Sequence, residues 1–221
     1  MIEPLDRAGA VHYDAIFAHV TQSFVPGLIK AACLAPGQRV LDVATGTGAA
    51  AQAAAAIVGP SGTVIAGDIS PAMLEVAQCK LRAVAIVFEV LDAQALPYPD
   101  GNFDAVICQL GLMFFSDPAR ALANFHRVLR PQGRVAVSVT TIAERTLYFR
   151  AWAAIARQVP ARSAALNRCF AVADPACLRT LLAAAGFPQD NDPTNRLGLR
   201  TPAVQAHRNR RTRRSLPERR L

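Results

Sequence analysis

The sequence predicts an α/β fold in which a mainly parallel β-sheet is covered by helices on both of its faces. Strand-like and helix-like segments alternate along the chain, and each strand-like segment is a short, nearly continuous apolar run. Such runs are typical of strands that are buried on both faces, as in a parallel sheet with crossover helices. A chain of 221 residues has the length of one domain of this class.

Five strands and their connecting helices are predicted from these patterns. The strands cover residues 39–43, 63–66, 84–91, 103–110 and 134–140. Apolar residues at helical spacing, with proline or glycine at several helix ends, predict the helices. These cover residues 12–34 (interrupted at Pro26), 49–58, 71–82, 117–129, 146–170 and 175–185, and Pro131–Gly133 end the helix that precedes the last strand.

The net charge of +8 is concentrated in the C-terminal tail. Residues 194–221 contain nine arginines and one acidic residue, which leaves 15 basic and 15 acidic residues in the rest of the chain. Residues 189–221 lack an apolar period and are predicted to be disordered. An arginine run can bind nucleic-acid phosphates without sequence preference. Because no aromatic residue lies near it for base stacking, a solvated tail is favoured over a nucleic-acid partner.

The five cysteines are scattered, with no CxxC pair, which predicts reduced thiols, a cytoplasmic location and no metal site. No apolar run reaches the roughly 20 residues that a membrane-spanning helix needs. The first residues also lack the apolar core of a signal peptide.

The strongest functional signal is a glycine-rich turn between the first predicted strand and the next helix, with the sequence VLDVATGTG at residues 40–48. Glycines let a ligand approach the backbone closely, and the start of a helix offers free N–H groups. The spacing Gly46-x-Gly48-x-x-Ala51 also satisfies a relaxed dinucleotide-binding pattern, and Asp68 follows about 20 residues later, as in proteins that bind NAD. The turn alone therefore leaves the ligand open.

Three aspartates favour a positively charged ligand. Asp42, Asp68 and Asp92 each lie at the end of one of the first three strands, and the ends of parallel strands meet at one edge of the sheet. A pyrophosphate would be repelled by Asp42, whereas a cationic methionine group would be attracted. One carboxylate can face the sulfonium amino acid, another the ribose hydroxyls and another the adenine amine.

With these motifs the chain resembles the class I S-adenosylmethionine-dependent methyltransferases, in the broad group that includes the ubiquinone/menaquinone C-methyltransferases and many small-molecule methyltransferases. The matching segments are VLDVATGTG (40–48), GDISPAML (67–74), LDAQALPYPDGNFDAVICQLGLMFF (91–115) and ALANFHRVLRPQGRVAVSV (121–139). The resemblance covers residues 12–187. It implies a Rossmann-like, doubly wound sheet and S-adenosyl-L-methionine as cofactor.

The resemblance also implies roles for individual residues toward that cofactor. Backbone contacts fall to Ala44, Gly46 and Gly48, ribose bonding to Asp68, adenine contacts to Ile69, Met73, Asp92 and the amide of Ala93, and methionine-side contacts to Gln109. Asp42 is expected on the cationic side of the ligand. The family often has glycine at the position of Ala44, and we expect its methyl group to be tolerated.

Catalysis needs mainly the positioning of donor and acceptor, which can supply up to roughly 7–11 kcal/mol of the barrier. Tyr13 resembles a family tyrosine that closes over the cofactor and is the first candidate for positioning, and His12 is the candidate base. Asp14, His19 and His126 are further titratable candidates, with His126 more typical of a surface histidine. Phe114 and Phe115 could stack on a flat substrate or pack in the core.

The predicted domains are an N-terminal helical lid at residues 1–38, a methyltransferase domain at 39–188 and the basic tail at 189–221. Residues 146–170, which contain Phe149 and Trp152, are expected to cap the site and favour a small apolar or aromatic acceptor. The strands that usually complete the family's sheet are not evident after residue 187. An exposed sheet edge would invite pairing, so a homodimer is possible.

Four functions remain open at this point. The leading one is transfer of a methyl group to a small molecule, and the second is a cofactor-binding protein that has lost catalysis through its altered C-terminus. An NAD-dependent oxidoreductase is disfavoured because no YxxxK-like site is present. An RNA methyltransferase would use the basic tail as its anchor.

Overall fold

A computed structural model describes residues 6–140 and 172–188. Its helices are α1 (Arg7–Ile16), α2 (Ala18–Gln22), α3 (Val25–Ala32), α4 (Ala49–Val58), α5 (Pro71–Leu81), α6 (Pro118–Val128) and α7 (Pro175–Ala184). Its strands are β1 (Arg39–Val43), β2 (Thr63–Asp68), β3 (Ile86–Val90), β4 (Phe103–Gln109) and β5 (Leu129–Ser138). A short 3-10 turn, Leu112–Phe114, follows β4.

The five strands form one parallel sheet in the order β3-β2-β1-β4-β5. The chain starts at β1, builds outward to β3 and then returns to the other side of β1 with β4. The ends of β1 and β4 are therefore the switch point of a doubly wound sheet, where ligands bind in such folds. This confirms the predicted α/β class and the Rossmann-like topology.

Each face of the sheet has its own apolar layer. On one face the small side chains of α4, such as Ala51 and Ala54, let this helix approach β1 and β2 closely, with Leu28 of α3 beside them. On the other face the larger side chains of α6, such as Phe125, pack with Leu178 of α7 against β4. The alanine-rich sequence of α4 therefore allows close packing of this helix on the sheet.

Two boundaries differ from the prediction by more than two residues. The N-terminal stretch forms three helices rather than one interrupted helix, and it begins earlier because the Asp6 side chain caps α1 by accepting from the Gly9 N–H at 2.7 Å. Pro26 does not interrupt a helix; it lies in the first turn of α3, where its missing N–H is harmless.

The second difference is the start of β5. This strand begins at Leu129, directly after α6, and not at residue 134. Leu129 pairs with Phe103, but the next pair is Ala105 with Arg134, so residues 130–133 form an irregularity within the strand. Gln132 adopts a positive φ of 67° there. The proline and glycine of this segment mark this irregularity, and the predicted start of the strand was wrong.

The connection between β3 and β4 is held by α6. The guanidinium of Arg127 donates to the carbonyls of Leu96 at 2.9 Å and Tyr98 at 2.7 Å, and it pairs with Asp100 at 2.9 Å. Asn124, one turn earlier, donates to the Gln94 carbonyl at 3.1 Å. We call this connection, residues 91–102, the braced loop.

Within residues 6–140 and 172–188 the sheet has five strands, with β3 and β5 at its edges. The predicted cap at residues 146–170 and the tail at 189–221 lie outside the described residues. In the part of the chain that is described, no helix has the length and hydropathy needed to cross a bilayer.

Candidate functional site

The glycine-rich turn, residues 44–48, joins β1 to α4 through three left-handed residues. Ala44 has φ 57°, Gly46 57° and Gly48 87°. The turn is fixed by backbone hydrogen bonds, from the Thr45 N–H to the Gly67 carbonyl and from the Gly48 N–H to the Thr45 carbonyl, both 3.0 Å long. A non-glycine residue in this region is unusual, so Ala44 is held there by its surroundings.

The two glycines of the turn serve different purposes. A Cβ built on Gly46 would meet no atom within 4 Å, so the turn is open on that side. A Cβ built on Gly48 would lie 2.6 Å from Leu81 Cδ1 and 3.3 Å from Ala77 Cβ of α5. Gly46 therefore leaves space in front of the turn, whereas Gly48 lets α4 begin against α5.

Asp42 is fully buried at the end of β1. Its Oδ2 accepts a hydrogen bond from the Thr45 hydroxyl at 2.7 Å, while its Oδ1 is buried and has no partner among the described residues. Burial raises the pKa of Asp42 to about 7; the bond from Thr45 opposes this rise, and the charge of Asp68 adds to it.

Asp68, at the end of β2, holds the glycine-rich turn to the start of α5. Its Oδ2 accepts from the Gly46 N–H and its Oδ1 from the Ser70 N–H, both at 2.9 Å. Burial raises the pKa of Asp68, and these two backbone bonds oppose the rise. Each carboxylate oxygen still has a second acceptor position, so Asp68 can also bond a ligand.

Strand register places Asp42, Asp68 and Gln109 on one face of the sheet. Asp42 pairs with Ala66 of β2 and Ile107 of β4, and Asp68 and Gln109 lie two residues beyond these partners. Side chains two residues apart along a strand point the same way. The three polar side chains therefore share the face that α3 and α4 cover, at the carboxyl ends of neighbouring strands.

Gln109 connects this edge to the N-terminal helices. Its Nε2 donates to the carbonyl of Thr21 in α2 at 2.5 Å, and its Oε1 is buried without a partner among the described residues. Gln109 Oε1 and Asp42 Oδ1 are thus two buried acceptors without donors, on adjacent strands. Buried polar atoms are nearly always paired in folded proteins, so both atoms are available to accept hydrogen bonds from a ligand.

Asp92 lies just beyond β3 at the start of the braced loop. Its Oδ1 accepts from the Gln94 N–H at 2.8 Å and from the Gln94 side chain at 3.2 Å. Asp92 is half-buried, and the neighbouring Ala93 is buried in the core. The third predicted carboxylate is therefore at the predicted edge.

Apolar residues follow Asp68 at the same edge. Ile69 is 44% exposed, which is unusual for a large apolar side chain between two buried residues. Met73 is half-buried in the first turn of α5, and its N–H donates to the Ser70 hydroxyl at 3.4 Å. The surface of Ile69 is thus available to an apolar part of a ligand.

The N-terminal helices dock on the glycine-rich turn and α5 through Asp14. Its carboxylate accepts from Lys80 of α5 at 2.5 Å and also bonds the side chain of Thr47 in the turn. Burial raises the pKa of Asp14, but the bonds from Lys80 and Thr47 outweigh it, so the net shift is downward. This pairing makes Asp14 a docking residue rather than a general base.

The two candidate catalytic residues are adjacent on α1 but differ in exposure. Tyr13 is half-buried and its ring stacks on Phe17 with centroids 5.9 Å apart. His12 is exposed, and its Nδ1 lies 3.3 Å from the carbonyl of Ala8 in the same helix.

The other aromatic candidates divide between surface and core. Phe115 packs edge-on against Phe125, whereas Phe114 is 43% exposed just beyond β4. His126 is exposed and lies edge-on to Phe187, consistent with its interpretation as a surface histidine.

The sequence analysis missed three contributors to the site. Thr45 supports Asp42 three residues away, a spacing at which threonine and aspartate often bond, so this contact had a local signal. Lys80 and Thr21 had none, because their partners Asp14 and Gln109 are 66 and 88 residues distant in sequence.

The polar and apolar groups at this edge of the sheet fit S-adenosylmethionine. Acceptors without donors on β1 and β4 suit a cationic amino-acid portion, the second acceptor positions of Asp68 and Asp92 suit hydroxyl and amine groups, and exposed Ile69 suits a flat apolar ring. Open space beside Gly46 leaves room for a ligand against the backbone.

Comparisons with known proteins agree with this fit. A profile of the methyltransferase domain family matches residues 41–137. The ubiquinone/menaquinone biosynthesis C-methyltransferase of Pasteurella multocida is 45% identical over 105 residues, which cover 46% of this chain and 39% of that protein. The protein of the same name from Saccharophagus degradans is 39% identical over 120 residues, covering 52% and 48%. The chain thus spans less than half the length of these curated relatives.

Solved structures show the same fold. A proposed S-adenosylmethionine-dependent methyltransferase of Methanococcus maripaludis aligns with a TM-score of 0.62 at 20% identity, covering 86% of this chain and 90% of that one. An arsenic(III) S-adenosylmethionine methyltransferase of Chlamydomonas reinhardtii aligns with a TM-score of 0.56 at 27% identity, covering 76% and 60%.

Proposed function

We propose that this chain, whose residues 41–137 match the methyltransferase domain family, binds S-adenosylmethionine and transfers its methyl group to a small acceptor. The observation that carries this proposal is the pair of buried, donor-less acceptors, Asp42 Oδ1 and Gln109 Oε1, beside a glycine-rich turn. These atoms match the positive charge of the cofactor's amino-acid portion.

When bound, the cofactor supplies an electrophilic methyl group on a positively charged sulfur. The residues of the chain hold and orient it. Asp42 and Gln109 accept hydrogen bonds from the amino-acid portion, Asp68 bonds the ribose, and Asp92 with the Ala93 amide receives the adenine edge. Ile69 and Met73 line the flat face of the ring, and Gly46 lets the backbone approach.

The N-terminal helices position the acceptor and exclude water. Of the two candidate catalytic residues, Tyr13 and His12, Tyr13 is the better candidate for contact with substrate. It is half-buried, and it is adjacent to Asp14, which bonds the glycine-rich turn through Thr47. His12 remains a candidate base for an acceptor that must lose a proton, although its exposure gives this role less support.

We propose a small aromatic acceptor of the quinol or phenol kind. Two observations support it: the curated relatives are named for ubiquinone and menaquinone biosynthesis, and Phe114 presents an exposed ring beyond β4. The predicted cap at residues 146–170, with Phe149 and Trp152, would enclose such a ring. The cytoplasmic location and the homodimer stay predictions from the sequence.

The proposal is tested by calorimetry of the full chain with S-adenosylhomocysteine and with NADH, followed by methyl-transfer assays on a panel of quinols and phenols. We expect micromolar binding of S-adenosylhomocysteine, and turnover of at least one acceptor. Asp68→Ala should weaken binding at least tenfold, whereas Asp100→Asn, an exposed acid in the braced loop, should not.

Preference for NADH would contradict the proposal. Micromolar binding with no turnover across the panel would favour the alternative of a cofactor-binding protein without catalysis. An RNA methyltransferase would instead lose RNA binding on deletion of residues 195–221.

A further inference from the structure

We propose that Asp42 releases a proton to solvent when the ammonium group of a ligand's amino-acid portion enters the site, so that cofactor affinity depends on pH through this one carboxyl group. The proposal rests on the proposed function and adds to it a change in the charge of the site. It follows from the surroundings of Asp42, which offer a carboxylate almost no compensation while the site is empty.

The groups around Asp42 on every neighbouring element are neutral or negative. β2 contributes Asp68, and β4 contributes Ile107 together with the buried thiol of Cys108 on the opposite face of the sheet. The turn contributes the Thr45 hydroxyl, and α4 contributes a smaller hydrogen bond from the backbone of Ala51. Among residues 6–140 and 172–188, all four ion pairs involve other carboxylates. Two ionised aspartates on one buried face would therefore repel each other with no cation between them.

Hydrogen bonding decides which of the two aspartates holds the proton. Asp68 accepts two backbone N–H bonds, which favour its charged form, whereas Asp42 accepts one hydroxyl bond from Thr45 and has only a smaller favourable contribution from the backbone of Ala51. Burial raises the pKa of Asp42 to about 7, so near neutral pH the empty site is a mixture of protonated and ionised Asp42. Burial raises the pKa of the Cys108 thiol to about 12, which keeps that group neutral throughout.

A cationic ligand reverses this balance. Its positive charge next to Asp42 favours the ionised carboxylate, so the pKa of Asp42 falls on binding and the proton passes to the buffer. By linkage, affinity rises with pH by up to about tenfold per unit while the empty site is protonated, and it levels off above the pKa of the empty site. A ligand without the cationic portion gains nothing from ionised Asp42.

The test is calorimetry of the full chain with S-adenosylhomocysteine in buffers of different ionisation enthalpy. We expect release of close to one proton per bound ligand near pH 6 and of almost none above about pH 8. Neutral 5′-methylthioadenosine, which lacks the amino acid, should release none. Equal release by both ligands, or none by S-adenosylhomocysteine, would overturn the proposal.

Asp42→Asn copies the protonated state. Its affinity for S-adenosylhomocysteine should be lower than that of the natural chain, and this deficit should be at least tenfold larger near pH 8 than near pH 5.5. A purely structural role would weaken binding equally at both pH values, and that result would overturn the proposal.

Thr45→Val keeps the Asp42 carboxyl but removes its hydroxyl donor, and it serves as a second variant should Asp42→Asn not fold. The pH at which affinity levels off should rise by about one unit. The matched control is Cys108→Ser, which changes the residue of β4 directly after Ile107, the strand partner of Asp42. This change should leave the pH at which affinity levels off unchanged. Failure of the natural chain to bind S-adenosylhomocysteine would count against the proposed function, whereas binding without proton release would overturn only this inference.

Discussion

The methyl group of Ala44 fills the space that a side chain on Gly111 would need: a Cβ built on Gly111 lies 2.5 Å from Ala44 Cβ. The two residues come from the ends of adjacent strands, Ala44 after β1 and Gly111 after β4. The alanine in the glycine-rich turn is therefore matched by a glycine on the neighbouring strand end.

This relationship predicts coupled effects on stability. Gly111→Ala should destabilise the domain by about 1–3 kcal/mol through overpacking. Ala44→Gly should change stability by less than about 1 kcal/mol, because relief of left-handed strain is offset by the greater freedom of the unfolded chain. Urea unfolding measures this coupling. The loss of unfolding free energy in the double variant should be smaller, by at least about 0.5 kcal/mol, than the sum of the losses in the two single variants.

Gly27→Ala is the control for this cycle. Gly27 lies in α3 with open space around it, and alanine there should be neutral or stabilising by up to about 1 kcal/mol. Additive effects of the Ala44 and Gly111 changes would contradict the predicted contact.

The two glycines of the turn should respond differently to alanine. Gly48→Ala combines a left-handed φ with a Cβ 2.6 Å from Leu81, so it should cost about 2–4 kcal/mol of unfolding free energy. Gly46→Ala meets no protein atom and should cost about 1–2 kcal/mol from φ alone. Its larger effect should be on ligand affinity, with at least tenfold weaker S-adenosylhomocysteine binding. Thermal unfolding and calorimetry on both variants check this, and equal losses in both measurements would contradict it.

The pH dependence of stability in the empty protein should carry a contribution from Asp42. The folded pKa of about 7 lies above the ordinary 3.8, so the folded state binds this proton more tightly than the unfolded state. The stabilisation is complete below about pH 4 and is lost as pH rises toward 7. Between those values Asp42→Asn should gain up to about 4 kcal/mol relative to the natural chain. Urea unfolding of both proteins between about pH 4 and pH 7 checks this. A difference in unfolding free energy between Asp42→Asn and the natural chain that does not change with pH would contradict the prediction.

The sequence predicted best what depends on neighbouring residues. The order of strands and helices, the glycine-rich turn and the aspartates at strand ends follow from short apolar runs and turn residues, and the structure places Asp42 and Asp68 at one edge as expected. The predicted start of β5 at residue 134 was wrong because proline and glycine can mark an irregularity inside a strand, and only the pairing of Leu129 with Phe103 shows that the strand starts earlier.

What the sequence could not provide depends on distant contacts. Gly46 and Gly48 look alike in the motif, yet one faces open space and the other faces α5. Asp14 could not be recognised as a docking residue because its partner Lys80 is a long way along the chain. The donor-less state of Gln109 Oε1 is likewise visible only once the fold is known.

Docking of the N-terminal helices should weaken when Asp14 is neutralised. Asp14→Asn removes the charge from the contact that Asp14 makes with Lys80. Because the Lys80 side chain is 34% exposed, the local loss of stabilising free energy should be no more than about 1 kcal/mol. Hydrogen exchange of α1 and α2 should quicken by up to about fivefold, without change in the sheet. The control is Glu75→Gln, which removes the exposed ion pair between Glu75 of α5 and Arg7 of α1 and should leave hydrogen exchange unchanged. Unaltered exchange in Asp14→Asn would show that apolar contacts alone hold these helices.

The brace that Arg127 and Asn124 form extends the influence of α6 to the rim of the site. Asp92 lies at the start of the braced loop, whose carbonyls accept hydrogen bonds from these side chains, so the proposed adenine end of the site depends on α6 for its order. The amino-acid end depends instead on β1 and the glycine-rich turn. The two halves of the binding surface are thus supported by different parts of the scaffold, and a change in α6 can loosen one while the other keeps its shape.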